Sequence, residues 1–120
     1  QMVKDIKAAK AKSDLVIVSI HWGQEYQIKS NSHQQKIAAA AVAAGADLIV
    51  GHHPHVAQEI AEINGVTVAY SLGNFIFDQN FSVDTKNALI LKVKIKNKKI
   101  VQVEPQTIKF TSSFQPYLAP

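Results

Sequence analysis

Leu48-Ile49-Val50-Gly51-His52-His53-Pro54-His55 is an apolar run that ends in three histidines. The run has the composition of a buried strand, and the histidines follow where such a strand leaves the core. A shorter copy of the arrangement occurs earlier, where Leu15-Val16-Ile17-Val18-Ser19-Ile20 leads into His21-Trp22-Gly23. Ligands of open α/β sheets sit beyond the carboxyl ends of the strands, so two strands that each end in imidazole point to one shared site.

The segment between these runs reads as a crossover helix. Ser32 is placed as its N-cap, with Gln35 three residues on to complete a capping box. The helix continues through Ile37, a series of alanines and Val42, and Gly45 stands where a left-handed C-terminal cap belongs. So many alanines imply close approach of helix to sheet. Residues 15–50 then form a βαβ unit with parallel strands, and the fold class is α/β. Apart from Ser19 the 15–20 run is continuously apolar, the pattern of a strand covered on both faces. The polar loop 23–31 between strand and helix is longer than most connections, a mark of functional loops.

Outward from this unit, Met2 to Lys12 fits a short amphipathic helix. On the other side, Gln58 to Ile63 and Val66 to Tyr70 flank Asn64-Gly65, a strong hairpin signal. Ser71-Leu72-Gly73-Asn74 interrupts, Phe75-Ile76-Phe77-Asp78 follows, and 79–86 is a polar loop. Ala88 to Lys96 alternates Leu89, Leu91, Val93 and Ile95 with lysines, turns at Asn97-Lys98 and returns from Ile100 to Val103, a hairpin with one wet face. Pro105 is expected to end that strand, which leaves 105–120 as an irregular tail on a single domain spanning 1–120.

Composition narrows the function classes. The 120 residues are 47% hydrophobic and 18% charged, ordinary for a globular domain, with no run long enough to cross a bilayer. The net charge is +4, yet all 13 basic residues are lysine. Without the guanidinium fork of arginine, nucleic-acid recognition is disfavoured. The absence of cysteine removes disulfides, thiolate catalysis and thiolate metal sites together. Because the chain starts at Gln1 and enters a helical pattern at once, it reads as part of a longer polypeptide.

Neutral imidazole is a ligand for Zn, Mn, Fe or Ni, and a His-x-His pair on extended backbone projects both rings to one side. His53 and His55 have that spacing, with Pro54 expected to hold the backbone extended. His21, beside Trp22, fits either packing or ligation. His33, in the first turn of the helix, reads as a solvated surface residue. His52 reads either as a residue that supports the ligands or as a substrate contact, and on extended backbone its side chain should point away from that of His53. Glu25 and Asp78 are each a general base, a partner that orients a histidine, or a solvated carboxylate. Asn74, after Gly73, either faces a ligand or caps a turn. Lys92, Lys94, Lys96, Lys98 and Lys99 would attract a polyanion, although lysines on an exposed strand also block edge-to-edge association.

Three segments in series, Ser19-Ile20-His21-Trp22-Gly23-Gln24-Glu25-Tyr26, Gly45 to Val56, and Tyr70-Ser71-Leu72-Gly73-Asn74-Phe75-Ile76-Phe77-Asp78, resemble the CapA family of poly-γ-glutamate capsule biosynthesis proteins. The resemblance covers roughly residues 1–110. That family is similar to the calcineurin-like metallophosphoesterases, so it implies the C-terminal half of an αββα sandwich with a two-metal site at the strand ends. It implies metal-ligand roles for His21, His53 and His55, places Glu25 and Asn74 in the substrate pocket, and transfers no role to His52. The cofactors implied are divalent ions (Mn, Zn or Fe) that activate water for attack on a phosphoester or amide centre.

In the family, further ligands, including an aspartate and an Asn-Asn-His segment, come from an N-terminal half that these residues lack. Three histidines cannot clamp two ions. The expectation is therefore at most one weakly held metal and no hydrolytic activity from this chain alone. The implied partners are the anionic polymer or a phosphoester, and the membrane subunits of the capsule synthase. A half sandwich exposes an apolar face, so self-association is expected too. The location implied is the cell surface, with membrane attachment through a segment outside these residues. A non-catalytic subunit that binds the polymer through its lysines is the alternative.

Overall fold

The computed structural model describes residues 1–119. Helix α1 (Met2–Lys10) precedes strand β1 (Ile17–His21), helix α2 (Ser32–Ala44) and strand β2 (Leu48–His52). β1 and β2 pair in parallel, with Ile17 opposite Leu48 and His21 opposite His52, which completes the βαβ unit. Strands β3 (Ile60–Ile63) and β4 (Val66–Ala69) form the hairpin around Asn64-Gly65, and β4 lies parallel to β2. The sheet order is β1-β2-β4-β3. Asn64 and Gly65 both have positive φ (49° and 79°), as a two-residue hairpin turn with the twist of its strands requires.

Alternation sorts the faces of this sheet. Val16, Ile49, Val68 and Tyr70 pack in one cluster with Ile6 of α1 and with Ala38, Ala41 and Ala44 of α2. The alanines let the helix backbone approach closely, and burying Ile49 and Val68 stabilises the fold by about 1.5–3 kcal/mol each. Gly45 ends α2 with φ 111°, its N–H bonded back to the Ala41 and Val42 carbonyls, as expected of a left-handed cap.

The helix begins one residue earlier than the capping pattern predicts. Asn31, not Ser32, is the N-cap: its side chain accepts from the Gln34 backbone at 2.9 Å, and Gln34 Oε1 accepts from the Asn31 N–H at 3.0 Å. This register buries Gln34, whose Nε2 also donates to Gln58 Oε1 at 2.9 Å, whereas Gln35 stays exposed. A tertiary bond thus selects between two local boxes of equal quality.

The second sheet, in the order β5-β6-β7, is antiparallel and contains β5 (Asn87–Lys96), β6 (Lys99–Phe110) and β7 (Pro116–Leu118). It is tied to the first at both ends, by the Leu89 N–H on the Leu72 carbonyl (2.8 Å) and by Lys98 with Asp14 (3.1 Å). The expected alternation of β5 holds only from Leu91 to Lys94: Ala88 is the buried residue of the strand, Leu89, Ile90 and Leu91 are all half-buried, and past a register shift between Lys94 and Ile95, Ile95 is exposed. Helices, mixed sheet and antiparallel sheet make a partial metallophosphoesterase-like α/β fold.

Two further expectations are overturned. Pro105 does not end its strand, and the tail expected over 105–120 is not irregular throughout its described part, 105–119, because β6 runs to Phe110 and pairs with β7. β7 reaches only Ile108 to Phe110, so Pro105, opposite Leu91, sits where one side of β6 is open and a missing N–H breaks no ladder. Nor is β1 covered on both faces. Ile17 is 51% exposed, while Leu48, beside it in register, is 2% exposed. β1 is the sheet's edge, and the layer that shields β2 does not extend over it.

Candidate metal centre

The histidines gather because the sheet register aligns them. His21 and His52 end adjacent parallel strands as direct partners, so their side chains leave on the same side. Burial first, and then the charge of His21, hold the His52 pKa below the ordinary histidine value. β2 ends at His52, and the chain then bends sharply. His53 (φ 101°) and His55 (φ 60°) both have left-handed backbone around a buried Pro54. The extended His-x-His geometry expected from the sequence is therefore not what forms. Backbone of this kind in non-glycine residues costs roughly 1–3 kcal/mol each and gathers at functional sites. The bend carries the His53 ring to 4.4 Å from that of His21 and leaves His53 and His55 rings 6.0 Å apart.

The 23–31 loop closes over this bend through long-range hydrogen bonds. Trp22 N–H donates to the His52 carbonyl (3.1 Å) and Tyr26 N–H to the Pro54 carbonyl (2.8 Å). Gln58 Nε2 donates to the Gln27 and Lys29 carbonyls, and the Ser30 hydroxyl donates to Glu59 at 2.6 Å. Pinned in this way, the loop brings Glu25 to the histidines. One donor atom from each of Glu25, His53 and His55 lies within 4.8 Å of the others, a spacing that suits a single cation.

The trio whose ligand atoms converge is not the His21, His53, His55 trio expected from the sequence. Glu25, expected to contact substrate, joins the ligand atoms of His53 and His55, while His21 stands outside that trio beside His53. Asn74, also expected in the substrate pocket, is buried, and its Oδ1 is 2.9 Å from His55 Nδ1. Asp78 is exposed and not in the trio, and His33 is an exposed residue of α2. Phe77 stacks on His55 with centroids 5.4 Å apart, and the Tyr26 ring lies tilted 6.1 Å from the same imidazole. In the sequence Glu25 is marked only as a carboxylate four residues after His21; nothing local marks the Tyr26 to Pro54 bond that places it beside the histidines.

Glu59 anchors this loop and carries a pH signature. Burial pushes its pKa up, but hydrogen bonds from the Ser30 side chain and from backbone N–H groups, with the charge of Lys29, outweigh that and hold it below the ordinary glutamate value. A depressed carboxylate stabilises the fold above its unfolded pKa, and that stabilisation is lost as pH falls through the folded value. Glu59→Gln is expected to lower Tm at neutral pH by the equivalent of less than about 1 kcal/mol, since the group is partly screened by solvent. The gap from wild type should close in acid. Equal Tm values at pH 7 would contradict this.

Residues 1–79 match the model of the bacterial capsule synthesis protein PGA_cap family. The chain is 49% identical over 85 residues to the PGA biosynthesis protein CapA of Bacillus subtilis, covering 71% of this chain and 22% of that protein. It is 46% identical over 90 residues to the capsule biosynthesis protein CapA of Bacillus anthracis, covering 75% and 22%. A Mycobacterium tuberculosis protein named as a probable polyglutamine synthesis accessory protein is 29% identical over 73 residues, covering 61% and 19%. The match thus spans about a fifth of the length of these relatives, and it takes in His21, Glu25, His53, His55 and Asn74 within the family model.

Proposed function

Because the chain belongs to the bacterial capsule synthesis protein family, we propose that it contributes the histidine side of a divalent-metal centre to poly-γ-glutamate capsule biosynthesis in the cell envelope. The observation that carries the reading is the convergence of Glu25, His53 and His55 donor atoms within 4.8 Å. Two imidazoles and a carboxylate are a donor set that Zn, Mn and Fe accept, so the residues fit one such ion.

When bound, the ion would act as a Lewis acid toward a phosphoester or amide centre and lower the pKa of a water. The chain's own residues do the rest. Glu25, His53 and His55 hold the cation, and His21, beside His53, is available to a second ion or to substrate. Phe77 and Tyr26 shield the His55 ring. Three donors hold one ion and leave the two-ion clamp of phosphoesterases incomplete, so this chain alone is a binding unit without turnover. Calorimetric titration of the chain with Zn²⁺ and Mn²⁺ tests the centre: one site per chain is expected, and no heat with either ion rejects it. Turnover of a chromogenic phosphodiester, abolished by His53→Ala, would overturn the incompleteness.

Self-association follows from the edges. β5 presents Lys92, Lys94 and Lys96 and β7 presents Pro116, both devices that discourage strand addition, but the β1 edge, Ile17 to Ile20, has neither charge nor proline. We assign this edge to pairing with a second copy, and sedimentation as a monomer at high concentration would exclude it. The second functional reading is a polymer-binding subunit, favoured by the exposed lysines Lys92, Lys94 and Lys96 on one face of β5. Poly-γ-glutamate binding that falls steeply with salt and is unaffected by His53→Ala supports that reading.

A further inference from the structure

Asn74 is 6% exposed and its side-chain amide is fully engaged. Nδ2 donates to the Thr85 carbonyl and to Gln79 Oε1, both at 3.2 Å, and Oδ1 lies 2.9 Å from His55 Nδ1. The Thr85 carbonyl can only accept, which fixes the amide with its nitrogen toward Thr85. Gln79 is oriented in turn by Asn74, because Nδ2 can only donate and so requires Gln79 Oε1 opposite it, which leaves Gln79 Nε2 to donate to the Tyr26 hydroxyl at 3.2 Å. Oδ1 of Asn74 therefore faces His55 and has no proton to give. The hydrogen of that bond must come from His55 Nδ1.

A neutral imidazole carries one N–H, so fixing it on Nδ1 leaves Nε2 as a bare lone pair. In water the free side chain prefers the opposite tautomer. We propose that Asn74 is a positioning residue that holds His55 in the Nδ1–H form, so that its Nε2 is ready for a cation before one arrives. The purpose rests on the metal-centre reading above, whereas the tautomer stands on the hydrogen-bond directions alone. The chain of bonds continues through Gln79 to Tyr26, the residue after Glu25, and couples the orientation of His55 to the loop that supplies the carboxylate. A ligand imidazole whose other nitrogen donates to an oxygen has both its ring plane and its basicity set by that oxygen.

The test is a long-range ¹H–¹⁵N correlation spectrum of the metal-free chain, recorded where its histidines are neutral, for wild type, Asn74→Ala and Asn74→Asp. Wild type should show His55 protonated at Nδ1. Asn74→Asp loses both bonds that Nδ2 donates but keeps an acceptor facing Nδ1, so its folded form should keep that tautomer. Asn74→Ala should move the proton toward Nε2 and weaken Zn²⁺ binding about tenfold. A wild-type His55 protonated at Nε2, or an unchanged tautomer in Asn74→Ala, overturns the assignment. If Asn74→Ala does not fold, the wild-type and Asn74→Asp spectra decide. The expected tautomers in a chain that takes no Zn²⁺ would support the Asn74 assignment and overturn the metal centre.

Discussion

Gly51→Ala is expected to destabilise the fold by about 3–5 kcal/mol, from overpacking and a lost buried hydrogen bond together. A Cβ at this position would stand 2.0 Å from the Tyr70 carbonyl oxygen and 2.5 Å from Trp22 Nε1. Those two atoms are bonded to each other at 2.8 Å, and both side chains are core, with rings stacked 5.7 Å apart. The strand cannot step back. Gly51 pairs with Ile20 on one side, and on the other its carbonyl accepts from the Leu72 N–H at 3.1 Å. A methyl group must therefore separate strands or break the indole bond. Against a typical total of 5–15 kcal/mol this is a large fraction. Urea unfolding should show a much lower midpoint, or no folded baseline. Gly65→Ala is the control: nothing lies within 4 Å of its Cβ, so only the φ of 79° is strained and the cost is about 1 kcal/mol. A loss at Gly51 no larger than at Gly65 would refute the packing account.

The same glycine shows why part of the fold is legible in sequence and part is not. The apolar runs around Ile17 and Ile49 announce strands because β-branched residues at consecutive positions have few other stable placements. Asn64-Gly65 and Gly45 announce a turn and a cap because few residues adopt positive φ cheaply. These are local rules, and tertiary context did not contest them. Pro105 is the opposite case: its lost N–H forbids a central strand, but the extent of β7 leaves that side of β6 open there, and no local pattern encodes where β7 stops. The site divides in the same way. The histidines are legible as metal-binding types, while the bonds that pin the Glu25 loop and the contact of Asn74 with His55 join residues 19 or more apart in the chain, and the amide of Asn74 is turned by Gln79 and Thr85 from a segment with no regular pattern.

Removing both His53 and His55 is expected to abolish Zn²⁺ binding, a loss of at least about a hundredfold, since one of three donors would remain. Glu25→Gln is the sharper case. It is nearly isosteric, sits on an exposed loop and makes no hydrogen bond that the fold depends on, so Tm should hold while affinity falls about tenfold or more. His21→Ala separates two versions of the centre. If the ion rests on Glu25, His53 and His55, removing His21 leaves its affinity within a few-fold; a loss equal to that of Glu25→Gln would mean that His21 has displaced the carboxylate as the third donor. Acid should weaken binding in every competent variant, because protons and Zn²⁺ compete for the same imidazole nitrogens. His33→Ala, on the exposed face of α2, should change nothing. Binding retained in the double histidine variant would place the ion elsewhere and remove the metal centre, leaving the lysine face of β5 as the functional surface.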